Sequence, residues 1–592
     1  MQAQRADAPV KRNPLREAYF GDLHLHTSYS LDAYLVGSTK VDPDEAYRFA
    51  KGEMVRYLGA PVQRREALDF MAVTDHSELM GVANTLDDPN SAFSKSNVGK
   101  ALRNDELGGW EGLGRWPSHA KPIAGVNTKA LSQSAWQREM DAANRNNQPG
   151  KFTTFIAYEW TAEIGGDNLH RNVIFEGSSA PNPFTSVDSN KPEDLWVWLE
   201  RIHSDGFEAL AIPHNPNASN GLMYDWVDSS GKAIDRAYAQ RRQAHEPLSE
   251  ISQTKGTSET HPLLSPTDEF ADFEIFDFRS YGRGYESPPA GSYLRDALGR
   301  GLVLQEKLGI NPFKYGFVGG SDLHSGLSVS AQADYKGTVW NDNIGAGTAS
   351  KAEAVRALSE VGQFTDPAPL RTTSGNLTGI WAESNTRRSL YEALRRRETF
   401  ATTGTRLKIR FYGGWKIDRY IFEGNEWPRQ AYATAVPMGA DLPTRPETAK
   451  APSFVVWAIK DPDGANLDRL QIVKVWEKDG RQHEDIYDAA WSGQRRPDPR
   501  TGSLPAVGNT VDLKTGAYQN SIGATELKAV WVDRSFDVVC AAAYYVRVLE
   551  IPTPRWATLL AIKNELPLST DAPTTVQQRG WSSPIWYAPR GP

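Results

Sequence analysis

The chain has 592 residues, 39% hydrophobic, 10% aromatic and 23% charged, which excludes an intrinsically disordered chain and exceeds what one hydrophobic core usually serves. Lys+Arg number 66 against 73 Asp+Glu, a net charge of −7, so a polyanion-binding surface is not the dominant feature and no nucleic-acid partner is expected. Mean hydropathy is −0.53, so no membrane span is expected, and the single cysteine, Cys540, excludes a disulfide framework or a multi-cysteine metal site.

The N-terminus, MQAQRADAPVKRNP, lacks an apolar core and is not a secretory signal as written. It also fits the stub left after removal of one, in which case a periplasmic or secreted location is favoured over the cytoplasm. Short apolar strands follow: AYFGDLHLH (18–26), LDFMAVTDH (68–76), FTTFIAYEW (152–160), FEALAIPH (207–214), ADFEIFDF (271–278) and YGFVGGSD (315–322). Helical patterns such as VDPDEAYRFAKGEMVRYLG and SQSAWQREMDAANRN separate them, which argues a parallel α/β architecture. Two polar stretches, 85–135 and 215–265, exceed normal loop lengths and read as insertions that shape a site. TRRSLYEALRRRE (386–398) reads as a basic helix closing the α/β part, its arginine run a solvated face. Beyond about residue 405, LKIRFYGGW, SFVVWAIKD, LQIVKVWEKDG, ELKAVWVD and AYYVRVLEIP are short alternating strands, the texture of an antiparallel sandwich.

Ten of the eleven histidines precede residue 325, whereas nine of the eighteen tryptophans follow residue 400. Chemistry is therefore expected in front and a structural or recognition domain behind. His24 and His26 lie two apart, so on a strand they share a face, with Leu23 and Leu25 turned the other way. Each later strand also ends in a residue that binds metals: His76, Glu159, His214, and Asp322 with His324. In an α/β barrel such strand ends converge on one rim, and imidazole with carboxylate suits Zn, Mn or Fe(II). One histidine at a strand end is commonly a satisfied polar residue; the ordered series is what points to a multi-metal centre.

The order HxHTxxSxDA, TDH, strand-end Glu, PH and SDxH resembles the PHP (polymerase and histidinol phosphatase) superfamily of metal-dependent phosphoesterases. LHRNVIFEG (169–177), IPHNPNASNG (212–221), SEISQTKGTSE (249–259), RRRETFATTGTR (395–406), LDRLQIVKVW (467–476), YYVRVLEIPTPRW (544–556) and RGWSSPIWY (579–587) extend the likeness to a large two-domain subfamily known mainly as a domain of unknown function. The resemblance implies a distorted (β/α)7 TIM-like barrel of PHP type with long insertions over residues 1–404. A C-terminal antiparallel β-sandwich-like domain would occupy 405–592. It also implies two or three divalent ions. His24, His26, Glu159 and Asp322 would hold one; Asp32, His76 and His324 a second; Glu159, His214 and Glu250 a third. Asp22 and Asp75 flank ligands and would orient imidazoles, with Asp75 reading equally as a loop cap.

Such a centre would activate a water and clamp an anionic ester, with a small phosphate or sulfate ester as the expected substrate. His170 would protonate the leaving oxygen, and Lys255, followed by the conformationally free Gly256, would face the anion. Arg171 reads either as a fork onto a phosphate or sulfate oxygen or as a salt bridge under a loop. Trp457 and Trp476 read as sandwich core. Trp415, Trp427, Trp491, Trp556, Trp581 and Trp586 read as core or as a stacking platform, and Cys540 as a small buried hydrophobe. Two other functions stand beside this one: an amidohydrolase-like hydrolase of C–N or C–O bonds, and a carbohydrate or cell-surface binding protein with structural metals. Oligomeric state is open.

Overall fold

The computed structural model describes residues 10–104, 121–278, 286–335, 337, 351–358, 369–424 and 426–589, so residues 1–9 of the polar N-terminus and 105–120 of the first insertion lie outside it. In front lie β1 (Glu17–Asp22), β2 (Phe70–Ala72), β3 (Thr153–Trp160), β4 (Arg171–Phe175), β5 (Ala209–Pro213), β6 (Leu248–Gln253), β7 (Gly316–Gly319), β8 (Leu377–Ala382) and β9 (Thr399–Thr402). Behind lie β10 (Lys408–Gly414), β11 (Ser453–Ile459), β12 (Leu467–Lys478), β13 (Arg481–Trp491), β14 (Glu526–Val532), β15 (Ala542–Glu550), β16 (Arg579–Ser582) and β17 (Ile585–Tyr587). The helices that matter here are α1 (Pro43–Ala50), α2 (Thr128–Asn146), α3 (Pro192–Ser204), α4 (Arg236–His245), α5 (Leu294–Leu308) and α6 (Arg387–Arg395). No described helix is long and apolar enough to cross a membrane.

A twelve-stranded mixed sheet runs in the order β13–β12–β15–β16–β9–β8–β1–β2–β3–β4–β5, with β17 paired to β15. The architecture is mixed α/β, but the expected seven-stranded barrel does not close among the described residues. The alternation of strand and helix is broken twice. β1, β2 and β3 are parallel, but after Trp160 the chain turns back through Gly165 and Gly166, both at positive φ, so β4 pairs antiparallel with β3 and β5 with β4. On the other side β8 pairs antiparallel with β1. β6 and β7 pair parallel in a separate small sheet.

Two expectations fail for one reason: polarity does not report burial here. The segment 271–278, which alternates like a strand, is mostly turn. The polar stretch 215–265 carries α4 and β6, and all six β6 residues, LSEISQ, are buried. Ser249, Glu250, Ser252 and Gln253 face hydrogen-bonding partners rather than solvent. The helical pattern at 41–59 is shorter than expected: α1 ends at Ala50 and a small hairpin, Val55–Tyr57 with Ala60–Val62, follows. Helix α6 forms as read, with the Thr386 hydroxyl capping Ser389 N–H, and its Leu390, Tyr391 and Leu394 join one apolar cluster with Leu23, Phe70 and Phe155 of the front strands.

Behind, β10, β11 and β14 make an antiparallel sheet with the short strand Val436–Pro437. It faces β12 and β15 across a core of Phe411, Phe454, Val456, Ile472, Tyr544 and Val546, a sandwich-like packing. Trp556, Trp581 and Trp586 are buried, as is the free thiol of Cys540, so those three indoles are core rather than platform. Trp457 and Trp476, expected in the core, are only half-buried; the Trp457 indole N–H donates to Glu526, and Trp476 stacks on His483.

Because β16 pairs with β9, the back strands extend the front sheet. A buried ion cluster welds the two. Arg295 of α5 donates to Glu259 at 2.6 Å and Asp268 at 2.9 Å, while Arg547 of β15 grips Asp268 at 2.7 and 2.8 Å. Burial alone would raise both carboxyls, but the Arg547 and Arg295 guanidiniums hold them below the usual range. Folded values below the unfolded ones mean stability that is present above about pH 4 and lost as pH falls further. Replacing Arg547 by Met leaves two acids with one guanidinium and is expected to cost about 3–5 kcal/mol. Thermal melts between pH 3 and 7 check both points; an R547M variant that melts like the wild type would remove the weld.

Candidate metal centre

The C-terminal ends of β1, β2, β3 and β5 point to one side of the large sheet, and a parallel bridge just beyond β7 brings its end to the same side. Because β4 is antiparallel to β3, its first residues lie on that side too, which brings His170 to the same rim. Parallel bridges Leu25–Leu323 and His76–Glu159 lock the strand ends in register. Asp32 arrives separately, in the first turn of the short helix Leu31–Leu35. Six histidines (His24, His26, His76, His170, His214 and His324) and the carboxylates of Asp32, Glu159 and Asp322 meet there, all buried.

Glu159 is the hub. Its Oε2 lies 3.4 Å from His24 Nε2 and 3.0 Å from His26 Nε2; its Oε1 lies 2.8 Å from His170 Nδ1, 3.4 Å from His214 Nε2 and 3.5 Å from His76 Nδ1. Asp322 Oδ1 stands 3.3 Å from both His24 Nε2 and His26 Nε2, and Asp32 Oδ2 stands 3.0 Å from His324 Nε2 and 3.4 Å from His76 Nε2. Three overlapping sets have donor atoms close enough to share an ion: His26, His76 and His324; His24, His26 and Asp322; His24, Glu159 and His214.

The outer contacts turn the imidazoles toward that centre. His24 Nδ1 lies 3.0 Å from Glu250 Oε2; His26 Nδ1 lies 2.8 Å from Ser30 Oγ, which donates to Asp75 at 2.7 Å; His76 Nδ1 lies 2.6 Å from Thr161 Oγ1. His24 Nε2 and His26 Nε2 are left buried without a hydrogen-bond partner, a condition a bound cation relieves. Buried imidazole nitrogens and carboxylates are also the donor set of Zn, Mn or Fe sites, so these residues fit such ions. Among the protein groups themselves, burial would raise Glu159, but His76 and His170 hold it well below the usual carboxylate range. Burial, with the neighbouring His24, pushes His214 down to about 3, the neutral form a metal ligand needs.

The remaining expected residues fall in different places. Glu250 sits behind His24 and belongs to none of the three donor sets. Lys255 Nζ contacts Asp322 Oδ2 and is partly exposed, so it lies at the edge of the cluster. Arg171 is buried and committed: its Nε donates to Glu246 at 2.9 Å and its Nη1 to the Leu169 carbonyl. The salt-bridge reading therefore holds for Arg171 and the anion fork does not, because the first β4 side chain after His170 turns to the opposite face. Asp22 accepts from the backbone N–H of His24 and Ser321 and from Ser328 Oγ, clasping the chain rather than an imidazole. Asp75 reaches His26 only through Ser30.

Several partners escaped the sequence reading. Glu163 Oε1 lies 3.5 Å from His170 Nε2, and Gln253 Nε2 donates to Asp322 Oδ2 and Asn215 Oδ1, each at 2.6 Å. Thr161 was the most accessible, since it follows Glu159 by two residues and so shares its face. Gln253 carried no comparable signal.

Fold and site together define a mixed α/β protein with a buried histidine–carboxylate cluster able to hold metal ions. A family model described as a protein of unknown function (DUF3604) matches residues 13–589, and the chain belongs to that family. A crystal structure of a two-domain protein containing a predicted PHP-like metal-dependent phosphoesterase from Bacteroides vulgatus ATCC 8482 is similar over 82% of this chain and 89% of that chain, with 12% sequence identity and a TM-score of 0.30. No curated protein sequence matches the chain.

Proposed function

We propose that the protein is a metal-dependent hydrolase of phosphate esters, with sulfate esters as the neighbouring class, acting at a di- or trinuclear centre. The observation that carries this reading is the overlap of three donor sets through His24 and His26, with Glu159 facing five imidazoles. Zn, Mn or Fe ions held by such a set supply Lewis acidity and a water activated near neutral pH. The chain's own groups do the rest. Glu250, Ser30 with Asp75, and Thr161 orient His24, His26 and His76 through their far nitrogens. Lys255, tethered to Asp322 but partly exposed, offers an ammonium to an incoming anion. His170, between Glu159 and Glu163, is the proton donor for a leaving oxygen.

Elemental analysis of the purified protein, joined to a panel of aryl phosphates, phosphodiesters and aryl sulfates, tests the reading. A metal-replete sample that turns over none of them would sink it. The orienting contacts carry their own expected result. A methyl group at Gly320 would come within 2.2 Å of Glu250 Oε2 and 2.7 Å of His24 Cβ. Gly320→Ala should therefore push Glu250 off His24 and weaken metal binding by about 10–100-fold, with Glu250→Gln giving a similar loss. Metal titration of the two variants, with circular dichroism to verify the fold, measures it.

A further inference from the structure

Four side-chain oxygens at the seam between front and back strands are buried with no hydrogen-bond partner of ordinary geometry: Glu550 Oε1 and Oε2, Gln578 Oε1 and Thr405 Oγ1. Chain pairing brings their segments together. Glu550 ends β15, and its N–H donates to the Gln578 carbonyl at 2.8 Å, so the two residues are cross-strand neighbours. Thr403 N–H donates to the Arg579 carbonyl at 2.9 Å, which carries Thr405 to the same place, its hydroxyl close to the Glu550 carboxylate. Glu550 is wholly buried and Gln578 is 5% exposed.

The cation whose charge acts on Glu550, Lys460, does not answer them. Lys460 Nζ donates to the carbonyls of Asp461, Pro462 and Gly464 at 2.7, 2.9 and 2.9 Å. Asp461, which adds a second negative charge nearby, has its Oδ2 bound to Arg406 N–H at 2.7 Å. A carboxylate, an amide oxygen and a hydroxyl, with no imidazole or thiolate, form a donor set for hard cations and differ in kind from the histidine-rich centre in front.

We propose that Glu550, Gln578 and Thr405 hold a hard, oxygen-preferring cation of the calcium or alkali-metal class, which ties β15 and β16 to the turn after β9. The site is structural, and it stands independently of any hydrolytic activity.

The test uses the full chain loaded with Zn2+ at constant excess, so that the front centre does not change. Thermal unfolding is followed while CaCl2, KCl or NaCl replaces choline chloride at fixed ionic strength, and equilibrium dialysis counts bound Ca2+. The wild type is expected to show a midpoint that rises with one of the three cations. Glu550→Gln, a neutral isostere, should lose that rise, and Gln578→Leu should weaken it. A wild-type midpoint indifferent to all three cations would overturn the proposal. In that outcome the occupant is a proton, since burial pushes the Glu550 carboxyl up to about 8. A raised folded value means that wild-type stability would then fall as pH rises from about 5 through 8, and Glu550→Gln would flatten the fall.

Discussion

Glu159→Gln is expected to lower turnover by on the order of 10³-fold or more and to reduce the metal content of the purified protein. The side chain keeps its length and its place at the end of β3, where every residue is buried. What changes is charge. The carboxylate faces His24 and His26 through one oxygen and His76, His170 and His214 through the other. An amide offers one neutral oxygen and turns an N–H toward nitrogens that need an acceptor or a cation. Elemental analysis beside steady-state kinetics separates the two effects. Full metal content with unchanged turnover would show that Glu159 only fills space.

Asp322→Asn should cost about 10²–10³-fold in activity while leaving the fold nearly intact. Asp322 sits at φ 51°, in the left-handed region that Asn tolerates and most residues avoid. Its backbone N–H donates to the His24 carbonyl at 2.8 Å, a contact the Asn variant retains. The lost charge, however, faces His24 and His26 on one side and Lys255 on the other. Asp322→Ala should lose the same activity and also melt earlier, because Ala in this conformation adds strain of roughly 1–2 kcal/mol. Equal melting points for the two variants would remove the conformational part of this account, and retained activity in Asp322→Asn would remove the electrostatic part.

Much of the site was legible because strand ends are local. His24 and His26 share a face by spacing alone, and VTDH, AYEW, IPH and SDLH each place a donor just past an apolar run. Arg171 was ambiguous because the sequence does not say which face of β4 meets the rim. Glu250, expected to hold a third ion, lies 3.0 Å from His24 Nδ1 and outside the three donor sets, and residue type alone does not say on which side of an imidazole a carboxylate falls. Thr161, Glu163 and Gln253 are ordinary polar residues until folding brings them to His76, His170 and Asp322. The front strand β6 was missed for a related reason, since its buried polar side chains look like loop.

The change of texture near residue 405 precedes a run of strands, β10 to β15, without telling that β12, β15 and β16 continue the front sheet. Composition, the crowding of histidines into the front and the order of donors at strand ends were set by the chain itself, because they rest on spacing along one strand at a time. The strand order of the sheet, the weld of Arg295 and Arg547 on Glu259 and Asp268, and the place of each carboxylate around the imidazoles were decided only in three dimensions. Those depend on pairings between residues hundreds of positions apart, such as Glu17 with Ala382 in the sheet and Glu259 with Arg547 in the weld, and on which nitrogen of an imidazole each partner meets. No local pattern encodes either.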